Sequence, residues 1–229
     1  AVVSTLEMLK HANYTIDDSN ARRVGVMLGV GLGGLETIEF YHKKLLEAGP
    51  SRVSPFMIPM LISNIAPGQI SITTGAKGPN LTLTSACSSG LHAIGYAYSE
   101  ILLGRCDAVI TGGVEATITP LAVSGFSALK ALSSSHNDNP TKASRPFDKD
   151  RDGFVIGEGA GIMLLESLDS ALERGADIYA EIAGFGATAD AFHITAPDEN
   201  GEGLANAMRL AVEEGGIALT DIDHINAHG

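Results

Sequence analysis

Tryptophan, paired cysteines and long apolar runs are missing from this sequence, and each absence removes a class of protein. The chain has no Trp and only two cysteines, Cys87 and Cys106, which do not form a C-x-x-C motif. Two such cysteines do not make a disulfide framework and suit a reducing compartment, so we expect a cytoplasmic protein. No apolar run reaches the length of a membrane span and the first residues lack a signal-peptide pattern, so we expect no membrane contact.

Basic residues are also scarce. The sequence carries 15 Lys and Arg against 27 Asp and Glu, a net charge of −12, and its basic residues are scattered. Without a basic stripe, nucleic acid is not an expected partner. His224 and His228 lie in a predicted strand, too far apart along it to share one ion, and no H-E-x-x-H motif is present. We therefore predict no metal site.

Glycine and apolar residues are plentiful, with 27 Gly and 45% hydrophobic residues, as in a globular α/β protein with a sizeable core. The apolar spacing alternates between the strand period and the helix period. Strands are predicted at residues 23–28, 81–83, 107–111, 154–167, 178–188 and 222–227, and helices at residues 1–12, 35–47, 58–73, 88–102, 120–132, 168–174 and 204–214. Helix 58–73 is expected to be interrupted near Pro67-Gly68, and Gly112-Gly113 to end their strand. This alternation predicts an α/β fold.

The stretch from Asn80 to Gly90 changes from strand spacing to helical spacing, with Cys87 at the transition. Backbone N–H groups at a helix start carry partial positive charge, which favours a thiolate over a thiol. The same groups can receive the oxyanion that forms when sulfur attacks a carbonyl. The sequence therefore indicates a candidate nucleophile at Cys87, while the alternative of a small buried apolar residue stays open.

Two histidines are candidate partners for this cysteine. His193 lies in a loop after a predicted strand, beside Thr195, and His228 ends the last predicted strand. Neutral histidine can donate a hydrogen bond or shuttle a proton near pH 7, although His228 could equally be an ordinary strand-end histidine. The remaining histidines, His92 among them, are predicted to be ordinary polar positions.

Two glycine-containing stretches resemble ligand-binding motifs. Gly29 to Gly34 fits G-x-G-x-x-G between a strand and a helix, which leaves a nucleotide-binding oxidoreductase as one alternative. No acidic residue closes a second strand about 20 residues later, so glycines needed for close packing are the other interpretation. The stretch from Asp148 to Gly153 resembles the start of a calcium loop but has Gly159 at the position of its twelfth-residue Glu, which favours turn and ion-pair roles.

Several stretches together resemble one family. They are Ser85-Ala-Cys-Ser-Ser-Gly90, Gly112-Gly-Val-Glu-Ala116, Ser144-Arg-Pro-Phe-Asp-Lys-Asp-Arg-Asp-Gly-Phe154, Gly157-Glu-Gly-Ala-Gly161 and Asn226-Ala-His-Gly229. In order and spacing they are similar to the β-ketoacyl-acyl-carrier-protein synthases, and most to the elongating synthase II type. The Arg-Pro-Phe-Asp and Ala-Cys-Ser-Ser-Gly stretches are together far more specific than a lone G-x-G-x-x-G.

The resemblance implies a thiolase-like fold, layered α/β/α/β/α, formed by one ketosynthase region over residues 1–229. Residues 1–167 would form most of the N-terminal half and residues 168–229 the start of the C-terminal half. The resemblance also implies a homodimer, no cofactor, and acyl carrier protein, acyl- and malonyl-loaded, as partner. In that chemistry Cys87 holds an acyl chain, and malonyl-carrier protein loses CO₂ so that its carbanion attacks the thioester and lengthens the chain by two carbons.

Residue by residue, the resemblance implies that Cys87 is the nucleophile and that His228 is the first of two histidines that assist decarboxylation. Leu32 matches a residue that lines or gates the acyl pocket. Thr195, in the same loop as His193, matches a threonine near the malonyl and pantetheine site. These residues form the site that the resemblance predicts.

Arg52 and Lys130 match basic family positions that meet the acidic carrier. Family chains extend further at both ends and carry a lysine, a second histidine and a glycine-rich C-terminal loop that have no counterpart here. We therefore expect that residues 1–229 by themselves do not complete condensation. A polyketide-type ketosynthase and an inactive partner subunit of a condensing heterodimer stay open as alternatives, although Cys87 argues against the second.

Overall fold

The computed structural model describes residues 1–228 and contains four strands and eight α-helices within them. The strands are β1 Val24–Gly29, β2 Asn80–Leu83, β3 Ala108–Glu115 and β4 Gly159–Glu166. The helices are α1 Val2–His11, α2 Leu35–Ala48, α3 Met57–Leu61, α4 Ile65–Thr74, α5 Ser89–Leu102, α6 Pro120–Ala128, α7 Leu168–Glu173 and α8 Glu202–Glu214. No helix in this part of the chain is both long and apolar enough to cross a membrane.

The four strands form one mixed sheet in the order β2-β1-β3-β4. β1 pairs in parallel with β2 and with β3, and β3 pairs antiparallel with β4. Parallel neighbours need crossover connections, which α2 to α4 provide between β1 and β2, and α5 provides between β2 and β3. The parallel strands β2, β1 and β3 therefore end at the same edge of the sheet.

Helices cover both faces of this sheet. All six residues of β1 are buried, as expected for a strand with apolar layers on either side. One face packs on Ile70 of α4 and on apolar residues of α1, and the other packs on Ala97 of α5. Cys106, just before β3, belongs to the second core cluster, where burial raises the pKa of its thiol. The other cysteine, Cys87, is exposed.

Three predicted boundaries near prolines and glycines were wrong. β3 continues through Gly112-Gly113 to Glu115, because both glycines pair with β4 and so stay inside the ladder. The predicted helix 58–73 is two helices separated at residues 62–64. Pro67 lies in the first turn of α4, where backbone N–H groups have no partner within the helix, so the lack of an N–H in proline costs no hydrogen bond. α6 ends at Ala128, and the residues that follow include Lys130 with a positive φ.

The predicted strands 178–188 and 222–227 are not strands among the described residues, and strand 154–167 shortens to β4. A strand requires a ladder partner, and the backbone of these two segments forms none there. Segment 178–188 is instead fixed by packing: Phe185 lies on Gly95 of α5, and the Phe185 N–H donates to Glu214 Oε2 at 2.6 Å. Gly184 and Gly186 approach the backbone of α8 so closely that a Cβ at either would collide with it.

Candidate active site

Cys87 lies on the turn that joins the carboxyl end of β2 to the start of α5, as the sequence predicted. Ala86, directly before it, has a φ of 53°, a conformation that non-glycine residues adopt rarely. Such a residue persists only where its surroundings hold it, and it turns the chain sharply so that Cys87 is exposed. The alternative of a buried apolar cysteine applies to Cys106 and not to Cys87.

Serine side chains hold this turn from inside. Ser89 Oγ accepts the Ser85 N–H at 2.9 Å and donates to the Ala86 carbonyl at 2.6 Å. Ser88 Oγ donates to the Ser85 carbonyl at 2.7 Å. The Ser88 and Ser89 N–H groups donate to the carbonyls of Ser85 and Ala86, so they close the turn and are not available for the oxyanion role that the sequence suggested for this region.

His92 is a residue of this region that sequence reasoning missed. Its Nδ1 lies 2.6 Å from Ser85 Oγ, and its ring packs edge-to-face on Phe185 with centroids 6.2 Å apart. The sequence did contain a signal for this residue, because His92 lies in the first turns of the helix that follows the candidate nucleophile. His92 on α5 therefore contacts the Cys87 turn through Ser85 and is not an ordinary polar position.

The turn after β1, which carries Leu32, is joined to the Cys87 turn. The Val30 N–H donates to the Leu83 carbonyl at 3.1 Å, and Thr84 Oγ1 donates to the Val30 carbonyl at 2.9 Å. Gly29 faces the backbone of Ser89 so closely that a Cβ there would collide with it. Leu32 is half-exposed at the same edge of the sheet as Cys87, which is where ligands bind in parallel α/β sheets.

Two N–H groups of the glycine-rich turn, those of Leu32 and Gly33, are already occupied by a carboxylate. Glu115 Oε2 accepts the Leu32 N–H at 2.7 Å, and Glu115 Oε1 accepts the Gly33 N–H at 3.1 Å. A carboxylate that occupies these donors would also repel a phosphate. This arrangement argues against the nucleotide-binding alternative.

His193 and Thr195 lie together in an exposed loop, as predicted. His193 Nδ1 accepts the N–H groups of Thr195 at 3.1 Å and of Ala196 at 3.0 Å. Because both partners are donors, Nδ1 carries no proton, so the ring proton lies on Nε2. The loop thus presents an imidazole N–H and a threonine hydroxyl to its surroundings.

The structure does not join His228 to Cys87. Within residues 1–228 no hydrogen bond connects the two side chains, and His228 is exposed at the end of a segment without strand pairing. Arg52, in a short 3-10 turn, and Lys130, after α6, are exposed as well. Their roles stay predictions. In the same described range no cluster of three or more His, Cys, Asp and Glu side chains could hold a metal ion.

Comparisons with known proteins give a consistent result. The family model "Beta-ketoacyl synthase, N-terminal domain" matches residues 1–171, and "Beta-ketoacyl synthase, C-terminal domain" matches residues 179–229. The chain is 53% identical over 229 residues to 3-oxoacyl-[acyl-carrier-protein] synthase 2 of Staphylococcus aureus (strain N315), and 49% identical over 228 residues to the Vibrio cholerae protein of that name. It covers 55% of each, so it spans about half the length of these curated relatives.

Solved structures show the same likeness. A beta-ketoacyl synthase from Burkholderia phymatum STM815 superposes with a TM-score of 0.91 at 36% identity, over 100% of this chain and 55% of that one. A type II polyketide ketosynthase, solved with its acyl-carrier protein and bound to a hexaketide, superposes with a TM-score of 0.92 at 32% identity. That match covers 100% of this chain and 57% of the other.

Proposed function

The chain belongs to the beta-ketoacyl synthase family, and we propose that the protein is a 3-oxoacyl-[acyl-carrier-protein] synthase of fatty acid elongation. The observation that carries the proposal is the placement of Cys87, exposed on a strained turn at the edge where β2, β1 and β3 end. An exposed cysteine before a helix is suited to nucleophilic attack.

The proposed reaction has two steps, the transfer of an acyl group to Cys87 and a decarboxylative condensation that forms a carbon–carbon bond. The Cys87 thiolate attacks the carbonyl of an acyl-carrier thioester, a new thioester forms on Cys87, and the carrier thiol leaves as a thiolate that takes up a proton. Malonyl-carrier protein then loses CO₂, and the electron pair left on its α-carbon attacks the Cys87 thioester. The new carbon–carbon bond gives a 3-oxoacyl chain two carbons longer, and the Cys87 thiolate is released.

Histidine and hydroxyl donors support the decarboxylation in this proposal. His228 would donate a hydrogen bond to the malonyl thioester carbonyl and so stabilise the enolate that forms when CO₂ leaves. The loop of His193 and Thr195 offers two donors, an Nε2–H and a hydroxyl, to the malonyl and pantetheine groups. Leu32 would contact the acyl chain with its half-exposed side chain.

The proposed partners are acyl carrier protein and a second copy of the chain. Arg52 and Lys130 are exposed cations on a protein of net charge −12, which suits local contact with an acidic carrier. Among the described residues β2 pairs on one side only, which leaves one strand edge open to a second copy. The cytoplasm is the proposed location.

Two experiments test the proposed partners. Light scattering on the native-length protein tests the dimer. The double variant Arg52→Glu, Lys130→Glu should slow acylation of the protein by carrier thioesters but not by pantetheine thioesters.

A polyketide-type ketosynthase is a second candidate, because the chain superposes well on a ketosynthase of that class. Analysis of the products distinguishes the fatty acid enzyme from the polyketide enzyme. A fatty acid enzyme releases a 3-oxoacyl thioester after one condensation, whereas a polyketide enzyme repeats the condensation without intervening reduction.

Acyl transfer is the experiment that tests the main proposal. The native-length protein is incubated with a long-chain acyl-carrier thioester, and peptide mass spectrometry locates the covalent acyl group. We expect the acyl group on Cys87, its loss in Cys87→Ala, and its retention in the matched variant Cys106→Ala. No acylation, or acylation of Cys106, would contradict the proposal.

A further inference from the structure

The geometry points to Glu115 as the positioning residue that fixes Leu32 beside the Cys87 turn and so sets which acyl chains reach the cysteine. This inference rests on the proposed function for its substrate class. It concerns Glu115 at the end of β3, which the sequence identified only as part of a family stretch, with no role of its own. Its carboxylate bonds to residues that lie 82 and 83 positions away in the chain.

Both carboxylate oxygens of Glu115 are used for one turn. Oε2 accepts the Leu32 N–H at 2.7 Å and Oε1 accepts the Gly33 N–H at 3.1 Å. Hydrogen bonds to an ionised acceptor are stronger than neutral ones, and two of them fix orientation as well as distance. A Cβ at Gly31 would lie 2.7 Å from Oε2, so the turn closes directly onto the carboxylate.

The turn that Glu115 holds is also attached to the Cys87 turn on its other side. Val30 bonds to Leu83 through its N–H and to Thr84 through its carbonyl. Leu32 is thus held between the end of β3 and the end of β2. Its backbone is fixed from one side by Glu115, while the residue as a whole stays 53% exposed. A fixed backbone with a free apolar side chain is suited to contact a ligand chain that approaches the neighbouring cysteine.

Length-dependent modification of Cys87 tests this arrangement without relying on catalysis. The native-length protein and its Glu115→Gln variant are alkylated with iodoacetamide and with N-dodecyl iodoacetamide, and mass spectrometry gives the two rates at Cys87. Gln keeps the size of Glu but turns one acceptor into a donor, which faces a backbone N–H. We expect the ratio of the long-chain to the short-chain rate to change by about five- to tenfold.

Glu158→Gln is the matched control. Glu158 Oε1 also accepts a backbone N–H, that of Ile118 at 2.7 Å, but Glu158 does not bond to the Leu32 turn. Its variant should leave the ratio unchanged. If Glu115→Gln does not fold, Glu115→Asp, whose shorter side chain cannot span both N–H groups, is measured in its place with the same expected change.

A double-mutant cycle with Leu32→Ala separates positioning from general stability. If Glu115 acts through Leu32, its substitution should not change the ratio further once the Leu32 side chain is gone. An unchanged ratio in the Glu115 variant, or additive changes in the double variant, overturns the inference. Wild-type protein that takes no acyl group from carrier thioester would overturn the proposed function instead, and the alkylation ratio would still decide the role of Glu115.

Discussion

Ser85 Oγ lies 2.6 Å from His92 Nδ1, and this hydrogen bond ties the turn that carries Cys87 to the first turns of α5. Ser88 Oγ lies 3.1 Å from the same Ser85 hydroxyl, so three side chains form one network. The His92 ring also packs on Phe185, which belongs to a segment far along the chain. The position of Cys87 therefore depends on contacts that lie beneath it.

Substitution of His92 is expected to loosen the Cys87 turn. His92→Ala removes the hydrogen bond to Ser85, a net loss of about 0.5–1.5 kcal/mol, and the contact with Phe185. The rate of Cys87 alkylation by iodoacetamide should change about three- to tenfold, as measured by mass spectrometry. His92→Asn, whose side-chain amide reaches the position of Nδ1, should retain most of the wild-type rate. Equal rates in all three proteins would show that the network does not position Cys87.

A methyl group at Gly95 is expected to destabilise the protein. A Cβ there would collide with the ring of Phe185, and overpacking of this kind costs about 1–3 kcal/mol. Gly125→Ala is the matched control, because Gly125 lies within α6 with open space where a Cβ would go, and helix propensity should stabilise it by about 0.5–1 kcal/mol. Urea unfolding of the two variants measures both changes in the free energy of unfolding. A Gly95→Ala protein as stable as wild type would show that Phe185 moves aside freely.

Tyr14 is expected to make stability fall at alkaline pH. Burial, with the nearby Glu166 carboxylate, raises the pKa of Tyr14 to about 12. The folded state therefore holds the Tyr14 proton more tightly than the unfolded chain, whose tyrosine pKa is about 10. The resulting stabilisation of the folded state is fully present below about pH 10 and is lost as pH rises toward 12. Between pH 10 and 12 the urea midpoint should fall more steeply for wild type than for Tyr14→Phe. Tyr96→Phe, at an exposed tyrosine, should behave as wild type.

Asp152 is expected to hold the loop before it in place at neutral pH. Its carboxylate accepts Ser133 Oγ at 2.6 Å and the N–H groups of Ser134 and Ser135 at 2.8 Å, and these bonds hold the pKa of Asp152 well below its usual range. The stabilisation is present above pH 4 and is lost as pH falls toward the lowered pKa. Limited proteolysis at neutral pH should cut the loop several-fold faster in Asp152→Asn than in wild type. Asp150→Asn serves as the control, and equal cutting of the two variants would contradict the prediction.

The sequence was informative wherever structure depends on neighbours along the chain. Local spacing placed Cys87 correctly between β2 and α5, and the predicted thiolase-like α/β fold is confirmed by the ketosynthase structures. The prediction that the strand ends at Gly112-Gly113 was wrong, because pairing of these glycines with β4 outweighs their tendency to form a turn. Glu115 was assigned no role from the sequence and His92 was predicted to be an ordinary polar residue, because the partners of both are set by the packing of strands and helices. The division at residue 167 stays a prediction, and so do the roles of all the site residues: Cys87, His228, Leu32, His193, Thr195, Arg52 and Lys130.

The close approach of Gly29 to the backbone of Ser89 has a consequence for how this protein can vary. Every other side chain begins with a Cβ, so no other residue fits at position 29 unless the start of α5 retreats and carries Cys87 with it. A saturation library at this codon should return glycine alone among functional clones, whereas the open position Gly125 should accept many residues. The close spacing between the carboxyl end of β1 and the start of α5 thus restricts this one position of the sequence to glycine.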